Sequence, residues 1–178
     1  MDDISRKLGM SKKTIYQFVD NKDDLVKEVL SQFLIREHEV IQGISKESSD
    51  AIEEYINMAR HFLETVKKMK PTITFDLQKY YQESWQLIEV GHFSFLRNII
   101  EENIKTGVKQ KLYRDNVDPI IISKLYVSNN HAIANEELFP SEQYPKHELL
   151  IQFVRYHLRG IASEKGLVRM KEILNPNL

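Results

Sequence analysis

The sequence predicts an all-α protein, and three observations support this fold class. Apolar residues recur three and four positions apart along most of the 178 residues, which places them on one face of a helix. Gly, Pro, Asn, Asp and Ser interrupt these stretches at positions typical of helix ends. The alternation of apolar and polar residues that marks a half-buried strand is absent, apart from a weak candidate at residues 72–75.

The first 30 residues predict two short helices joined by a tight turn. Ile4 and Leu8 lie four apart on one helix face, and Gly9 suits the left-handed backbone with which helices often end. Ser11 can cap a second helix, and Ile15 and Val19 would hold that helix against its neighbours. This order matches a helix-turn-helix, whose second helix enters the major groove of DNA.

The exposed side of the second helix carries chemical groups that bind DNA. Lysine ammonium groups neutralise phosphates, hydroxyl groups bond to phosphate oxygens, and a glutamine amide can read a base edge. Asn21 can cap the next helix, which would begin at a lysine able to bind a further phosphate. The candidate DNA-binding residues are Ser11, Lys12, Lys13, Thr14, Tyr16, Gln17 and Lys22.

Two consecutive runs together resemble the signature of TetR-family transcriptional regulators. They are Gly-Met-Ser-Lys-Lys-Thr-Ile-Tyr at 9–16 and Asn-Lys-Asp-Asp-Leu at 21–25. The run at 153–161 is similar to the last long helix of that family. The resemblance implies a helix-turn-helix DNA-binding head at 1–30, followed by a TetR-like helical ligand-binding and dimerisation domain at 31–178. It places Ser11, Thr14, Tyr16 and Lys22 on backbone phosphates, and Lys12, Lys13 and Gln17 nearest the bases. The implied partners are a double-stranded DNA operator, a small-molecule effector and a second copy of the chain.

Two features depart from the family pattern. Family members usually begin earlier, with a first helix that completes a three-helix head, whereas this chain starts at Met1 inside the usual head. Either the start of the sequence is truncated or the protein has lost that helix. Without it, we expect apolar side chains such as Ile4 and Leu8 to lack part of their cover and the head to be loose, which puts its DNA affinity in doubt. Asp20 stands where many relatives carry Lys, and a carboxylate there would weaken phosphate binding.

The rest of the chain predicts further helices with identifiable ends. A long helix is expected to run from residue 22 to 41 and to end at Gly43, and Asp50 is expected to cap the next helix. Pro71 interrupts the pattern, Gly107 is expected to close a long helix, and Pro119 suits the first turn of another. The later segments predicted to be helical are 72–81, 81–106, 119–138, 145–163 and 167–174.

Aromatic side chains gather near the Pro-interrupted segment, where a cavity is easily left. Apolar walls with a few polar tips suit a small apolar or aromatic ligand. The same side chains could equally fill an ordinary core, and the spacing does not separate these alternatives. The resemblance implies that ligand binding in this region releases the protein from DNA. The candidate pocket residues are Phe62, Phe75, Tyr80, Tyr81, Trp85, His92 and Phe93.

The two late helices carry apolar faces that are wide for the surface of a monomer. They either pack in the core or form a two-fold dimer in which two helices from each chain make a four-helix bundle. The resemblance favours the dimer. The candidate interface residues are Ile122, Leu125, Tyr126, Leu150, Phe153, Val154, His157, Leu158 and Ile161.

Composition argues against several other functions. A net charge of −1 is unlike that of a protein that coats nucleic acid, and the lack of cysteine excludes disulfides, thiol catalysis and zinc–thiolate sites. No HExxH spacing, Gly-rich phosphate loop or nucleophile elbow occurs, so we expect no catalytic residue, metal site or cofactor. No apolar run is long enough for a membrane span, and we expect a soluble cytoplasmic protein.

Together these features predict a ligand-responsive DNA-binding transcriptional regulator and not an enzyme. It would be a repressor released from its operator by a small apolar or aromatic molecule. The alternative is a helical dimeric module that binds a ligand or a protein partner and has little affinity for DNA.

Overall fold

The computed structural model describes residues 1–70 and 72–174. Within these ranges the fold is all-α, as predicted, and the residues form no strand beyond an isolated bridge between Tyr113 and Ala162. No helix in the described ranges is both long and apolar enough to cross a membrane. The helices are α1 (Asp2–Leu8), α2 (Lys12–Ile15), α3 (Lys22–Glu47), α4 (Ala51–Lys68), α5 (Ile73–Tyr80), α6 (Gln82–Gln86), a π-helical turn (Leu87–His92), α7 (Phe93–Lys109), α8 (Pro119–Ala134), α9 (Lys146–Ile161) and α10 (Glu164–Ile173).

The ends of the first helices follow the predicted capping residues. Gly9 has a φ of 63° and ends α1 in the left-handed conformation. Ser11 caps α2, and Asn21 caps α3 by accepting a 2.8 Å bond from the N–H of Asp24. However, α2 ends at Ile15 and does not continue through Val19. The backbone tightens there into three-residue turns, in which the N–H of residue 18 bonds to the carbonyl of Ile15 at 3.0 Å.

Helix α3 joins the head to the rest of the molecule. It runs through Gly43, which the sequence analysis expected to end it, and continues to Glu47. A glycine inside a helix costs about 1 kcal/mol relative to alanine, which the packing of a 26-residue helix readily offsets. The helix is continuous across residue 30, the predicted boundary of the head.

The part of the molecule that follows the head, which we call the body (residues 31–70 and 72–174), buries its core between α4, α7, α9 and α10. Asp50 caps α4 by accepting bonds from the N–H groups of Ile52 and Glu53, and Pro119 lies in the first turn of α8, both as predicted. Asp118, which the sequence analysis did not single out, caps α8. The core side chains are almost wholly inaccessible to solvent because each of these helices contributes one apolar face. They include Ala51, Ile52, Ile56, Ile100, Ile104, Leu158, Ile161 and Met170.

The segment before α7 differs from its prediction. One helix was expected over residues 81–106, but the chain forms α6, then the π-helical turn, then α7. Such a turn inserts an extra residue into the helical ladder and often marks a functional site. The weak strand candidate at residues 72–75 leads into the helical α5. Pro71, predicted to interrupt the pattern, lies outside the described residues.

The C-terminal end of α7 forms a tightly packed corner, which we call the Tyr113 junction (Ala51, Asn103, Gly107 and Tyr113). The Tyr113 hydroxyl donates to Oδ1 of Asn103 at 2.8 Å, and Nδ2 of Asn103 donates to the carbonyl oxygen of Ala51 at 2.9 Å. A Cβ atom on Gly107 would lie only 2.2 Å from the Tyr113 ring. Helix α7 therefore continues past Gly107, which serves a close approach and not the predicted helix end.

Candidate DNA-binding head and ligand cavity

Two hydroxyl groups of the head stabilise the start of α2. Oγ of Ser11 accepts a 3.0 Å bond from the N–H of Thr14 and lies 2.8 Å from Oγ1 of Thr14. This reciprocal arrangement satisfies a backbone N–H that has no partner within the helix. Ser11 is exposed and Thr14 is half-buried. These two predicted DNA-binding residues therefore also hold α2 in its conformation.

The remaining candidates on α2 and the following turn face solvent. Lys13 and Gln17 are exposed, and 43% of the Tyr16 surface is accessible. Lys12 forms an ion pair with Asp2 of α1, and the hydrogen bond to Asp2 raises the pKa of Lys12. Exposed ion pairs contribute little stability, so a phosphate could replace Asp2 at small cost.

Lys22, at the start of α3, contacts the body. Its Nζ lies 5.4 Å from the centre of the Tyr81 ring, and a hydrogen bond to Tyr81 raises the pKa of Lys22. Further along α3, Nζ of Lys27 lies 3.1 Å from Oε2 of Glu83 on α6. The structure thus brings a predicted DNA-binding residue against a predicted pocket residue, Tyr81, and links the head to the segment before the π-helical turn.

The apolar residues of the head are unevenly covered. Ile15 and Val19 are buried, whereas Leu8 is 59% exposed and Phe18 is 81% exposed. Ile4 is also exposed, at 37%. The apolar face of α1 is therefore largely accessible to solvent.

The body encloses a narrow cavity of about 40 Å³. Helices α3, α4, α7, α8 and α9 all contribute to its wall, so it lies in the centre of the bundle. We call it the central cavity. Its volume is below the roughly 300–1,000 Å³ of typical ligand pockets, so a ligand must displace side chains to enter. The lining residues are Ile41, Tyr55, Met58, Ala59, His61, Phe62, Leu63, Leu96, Ile99, Ile100, Tyr126, Asn130, Leu150, Phe153 and Val154.

The wall of the central cavity is apolar, with few polar groups. Nε2 of His61 lies 2.9 Å from Oε2 of Glu37 on α3, and Nδ2 of Asn130 donates to the carbonyl oxygen of Tyr126. Burial raises the pKa of Tyr126 to about 12 and that of Tyr55 well above its usual value. Both phenols therefore stay protonated at neutral pH.

The predicted pocket residues do not form one chamber. Phe62 lines the central cavity, but Phe75 and Tyr80 are 39% and 58% exposed on α5. The prediction was wrong in its grouping, because α5 is a short surface helix and the π-helical turn separates its residues from α7. The others lie apart from the cavity: Tyr81 meets Lys22, Trp85 is half-buried, His92 contacts His38 and Phe93 packs on His131.

The pair His38–His92 lies at this π-helical turn. Nε2 of His38 is 3.1 Å from Nδ1 of His92, so one nitrogen must carry a hydrogen and the other must not. Burial, and then the neighbouring His38, lower the pKa of His92 to about 4. The pair is therefore neutral near pH 7 and fastens α3 to the start of α7.

Several predicted interface residues belong to the core of the single chain. Leu150, Phe153, His157, Leu158 and Ile161 are buried, and Ile122, Tyr126 and Val154 are half-buried. The five buried side chains lie on α9, which turns this apolar face inward, and the three half-buried ones are only partly accessible to a second copy. Leu125 alone of the set is largely exposed, at 51%. The outward apolar residues of the two helices are Ile120, Ile121, Leu125 and Tyr156.

The cavity residues that the sequence analysis missed come from two sources. Four of the lining residues, Tyr126, Leu150, Phe153 and Val154, had been assigned to the dimer interface. Others, such as Tyr55 and Ala59, are part of the helical spacing of α4, which any core helix shows. The one sequence signal for the cavity was that polar and aromatic residues, such as Tyr55 of α4 and Asn130 of α8, occur on helix faces that pack inward.

Comparisons with known proteins agree on the architecture. The chain is 23% identical over 169 residues to the uncharacterized HTH-type transcriptional regulator YvaF of Bacillus subtilis, covering 93% of this chain and 86% of that protein. A TetR-family transcriptional regulator from Agrobacterium tumefaciens superposes with a TM-score of 0.72 at 16% identity, covering 91% of this chain and 86% of that one.

A second solved structure, the ketosteroid transcriptional regulator KstR2 of Mycobacterium tuberculosis, gives a TM-score of 0.62 at 16% identity and covers 91% of this chain and 84% of that chain. No protein-family model matches the chain. The helix order, the capped helix-turn-helix and these superpositions lead to one conclusion: the chain has the fold of the TetR-family transcriptional regulators.

Proposed function

We propose that this protein is a ligand-responsive, DNA-binding transcriptional regulator, a repressor that a small apolar or aromatic molecule releases from its operator. The observation that carries the proposal is that one helix serves both sites. Helix α3 follows directly on the helix-turn-helix and contributes Ile41 to the wall of the central cavity. Nothing in this arrangement calls for a catalytic role.

The contacts of α3 supply a route from the cavity to the head. Glu37 of α3 contacts His61, whose ring belongs to the cavity wall, and both side chains are largely buried. A ligand that widens the cavity pushes α4 and α3 apart, and α3 carries the head with it. A ligand that favours a head position unsuited to DNA lowers the affinity for DNA. Because the coupling is reciprocal, DNA lowers the affinity for the ligand by the same factor.

On DNA, the head would use the residues predicted from the sequence. Ser11, Thr14, Tyr16 and Lys22 would contact backbone phosphates, and Lys12, Lys13 and Gln17 would lie nearest the bases. Lys12 would release Asp2 to reach the bases, and Lys22 would exchange Tyr81 for a phosphate oxygen. Both present contacts are at the surface, so this exchange is compatible with binding.

A regulator of this fold needs two heads, because dimers read two half-sites about one helical turn apart. We infer that the homodimer forms through the outward face of α8 and α9, where Ile121, Leu125 and Tyr156 are exposed. Leu125→Asp should shift the chain towards monomer in analytical ultracentrifugation. Val168→Asp is the matched control, since Val168 is 58% exposed on α10. Equal dissociation constants for the two variants would refute this interface.

The proposed DNA contacts are tested by fluorescence anisotropy with DNA from upstream of the gene, at two salt concentrations. Tyr16→Ala and Lys22→Ala should weaken binding to all sequences, and Lys22→Ala should reduce the salt slope by about 1. Gln17→Ala should instead change the preference among sequences. Lys27→Ala is the control, because Lys27 lies on the same helix but outside the proposed contact set. Sequence-independent losses of equal size for all three would refute base reading by Gln17.

A second candidate function is a dimeric ligand- or partner-binding module with little DNA affinity. The exposed apolar side chains of the head favour it, since Leu8 and Phe18 leave the helix-turn-helix loosely covered. Ligand binding in the central cavity without sequence-selective DNA binding would establish this alternative.

A further inference from the structure

Two buried polar atoms beside the central cavity form no hydrogen bond to any of the described residues. They are the hydroxyl oxygen of Tyr55 and Nε2 of His157. Burial, and then the neighbouring phenol of Tyr126, raise the pKa of Tyr55. Tyr55 is 2% exposed and His157 is 8% exposed. Buried polar atoms are nearly always paired, so an unpaired one needs an explanation. Tyr55 is itself part of the cavity wall, which makes its hydroxyl available to a molecule inside.

Aromatic rings form one side of the cavity around this hydroxyl. The rings of Tyr55 and His157 are stacked, with centres 5.2 Å apart and planes 23° apart. Tyr126 meets Tyr55 edge-on at 6.2 Å, and Phe153 lies 5.0 Å from Tyr126. Such a surface offers a flat ring both stacked and edge-to-face contacts.

The same wall offers no charge to a ligand. None of the described residues that line the cavity is Lys, Arg, Asp or Glu, and His61 already contacts Glu37. Burial lowers the pKa of His157 to about 4, so this ring is neutral at pH 7. A carboxylate or an ammonium group would lose its hydration here without gaining an ionic partner.

We propose that the effector is an uncharged aromatic molecule with one hydrogen-bond acceptor, such as a carbonyl oxygen, that accepts the hydrogen of the Tyr55 hydroxyl. The inference rests on the ligand-binding part of the proposed function and adds its chemical class. Met58, Leu63 and Leu96 supply flexible parts of the wall that can move to admit a single ring. The hydroxyl then distinguishes this ligand from a hydrocarbon of the same shape.

Three probes of nearly equal shape test this. Acetophenone carries the acceptor, ethylbenzene has a methylene group in its place, and benzoate is charged. Each is titrated into the full chain labelled with ¹³C at Ile and Leu methyl groups, because Ile41, Ile99 and Leu150 line the cavity and report directly. Acetophenone should shift these signals and bind about fivefold to tenfold more tightly than ethylbenzene, and benzoate should leave them unshifted.

Two variants separate recognition from stability. Tyr55→Phe should remove the preference for acetophenone while ethylbenzene binds as before. Tyr113→Phe is the matched control, because its hydroxyl is buried in the Tyr113 junction and Tyr113 is not part of the cavity wall. This variant should keep the preference.

The outcomes separate this inference from the proposed function. If the preference survives in Tyr55→Phe, or benzoate binds as well as acetophenone, the proposed chemistry is wrong, although the cavity still binds ligands. If none of the probes shifts the cavity methyl signals, the central cavity is not a site for such ligands, and this inference falls together with the effector part of the proposed function. DNA binding by the head is measured separately and is unaffected by either result.

Discussion

Two buried tyrosines of the same core, Tyr113 and Tyr55, show how differently the two regions around them are built. At the Tyr113 junction, the hydroxyl donates to Asn103, and the ring packs against Gly107 with no room for a Cβ atom. At the central cavity, the hydroxyl of Tyr55 has no hydrogen-bond partner in the part of the chain that the structure describes, and free volume lies beside the ring.

The contrast indicates which region maintains the fold and which can change. A fully hydrogen-bonded, close-packed corner has one low-energy arrangement, so it fixes α4 against α7. A cavity beside an unsatisfied polar atom lowers the stability of the protein, because hydrogen-bond and packing energy is missing there. A ligand that fills the cavity can supply both. The Tyr113 junction therefore stabilises the fold, whereas the central cavity has the properties that the proposed ligand response requires.

The largest effect is expected from adding a methyl group at the Tyr113 junction, where there is no room for one. The Cβ atom of Gly107→Ala would clash with the Tyr113 ring, so this substitution should lower the free energy of unfolding by about 3 kcal/mol. Gly43→Ala is the control, because a Cβ atom there meets nothing within 4 Å and alanine favours the helix by about 1 kcal/mol. Denaturant unfolding measures both. A Gly107→Ala variant as stable as the parent chain would contradict the close packing of this junction.

The second effect concerns pH and distinguishes the two regions. The folded pKa of His157 is lowered to about 4 from 6.5, so the unfolded chain binds more protons between these values. Stability should be constant above about pH 7.5 and fall as the pH drops towards 4, by about 1.5 kcal/mol for this group between pH 6.5 and 5. His92 should contribute similarly, since burial lowers its pKa to about 4 as well.

The carboxylate that caps α4 near the Tyr113 junction behaves differently. Burial raises the pKa of Asp50, but bonds from the N–H of Glu53 and from Arg169 outweigh this and lower it below 3.8. Its stabilising contribution is therefore lost only below about pH 4.

The role of His157 is tested by unfolding curves at several pH values. Between pH 6.5 and 5, His157→Phe should lose less free energy of unfolding than the parent chain does. An unchanged loss would show that His157 is not the titrating group.

A comparison of the two tyrosines themselves gives a smaller effect. Tyr113→Phe leaves the Asn103 side chain without its donor and should cost about 1–2 kcal/mol. Tyr55→Phe removes a hydroxyl that has no partner and should be neutral or slightly stabilising. Equal losses in thermal and denaturant unfolding would mean that the Tyr55 hydroxyl is already satisfied.

The smallest effect is expected where the head meets the body. The ion pair between Lys27 and Glu83 is exposed, so Lys27→Met should change the free energy of unfolding by no more than about 0.5 kcal/mol. A double-mutant cycle with Glu83→Gln isolates the pair from other effects of each substitution. A coupling energy well above 1 kcal/mol would show that the head is held more firmly than exposed contacts allow.

Local signals explain what the sequence analysis predicted correctly. The capping roles of Gly9, Ser11, Asn21 and Asp50 depend on bonds within one or two turns, so residue type alone identifies them. The all-α fold follows from the apolar spacing in the same way. Long helices without a strong breaker were also recognised, although Gly43 was wrongly taken as an end.

The remaining features depend on packing between distant segments. Whether Phe153 faces a second copy or the cavity is decided by how α9 packs on α4 and α8, which helical spacing cannot specify. The π-helical turn leaves no periodic mark, so residues on either side of it were assigned to one helix. The cavity is a space that the packed side chains leave unfilled, and no residue type in the sequence predicts where such a space remains.

The most direct test of the central claim is selection of DNA by the chain from a random double-stranded library, followed by anisotropy titration of the selected sequence. The proposal predicts enrichment of a two-fold symmetric site with half-sites about one helical turn apart, salt-sensitive binding, and weaker binding to scrambled DNA. Failure to enrich any sequence, with equal affinity for selected and scrambled DNA, would contradict a sequence-specific regulator and leave the ligand-binding module in its place.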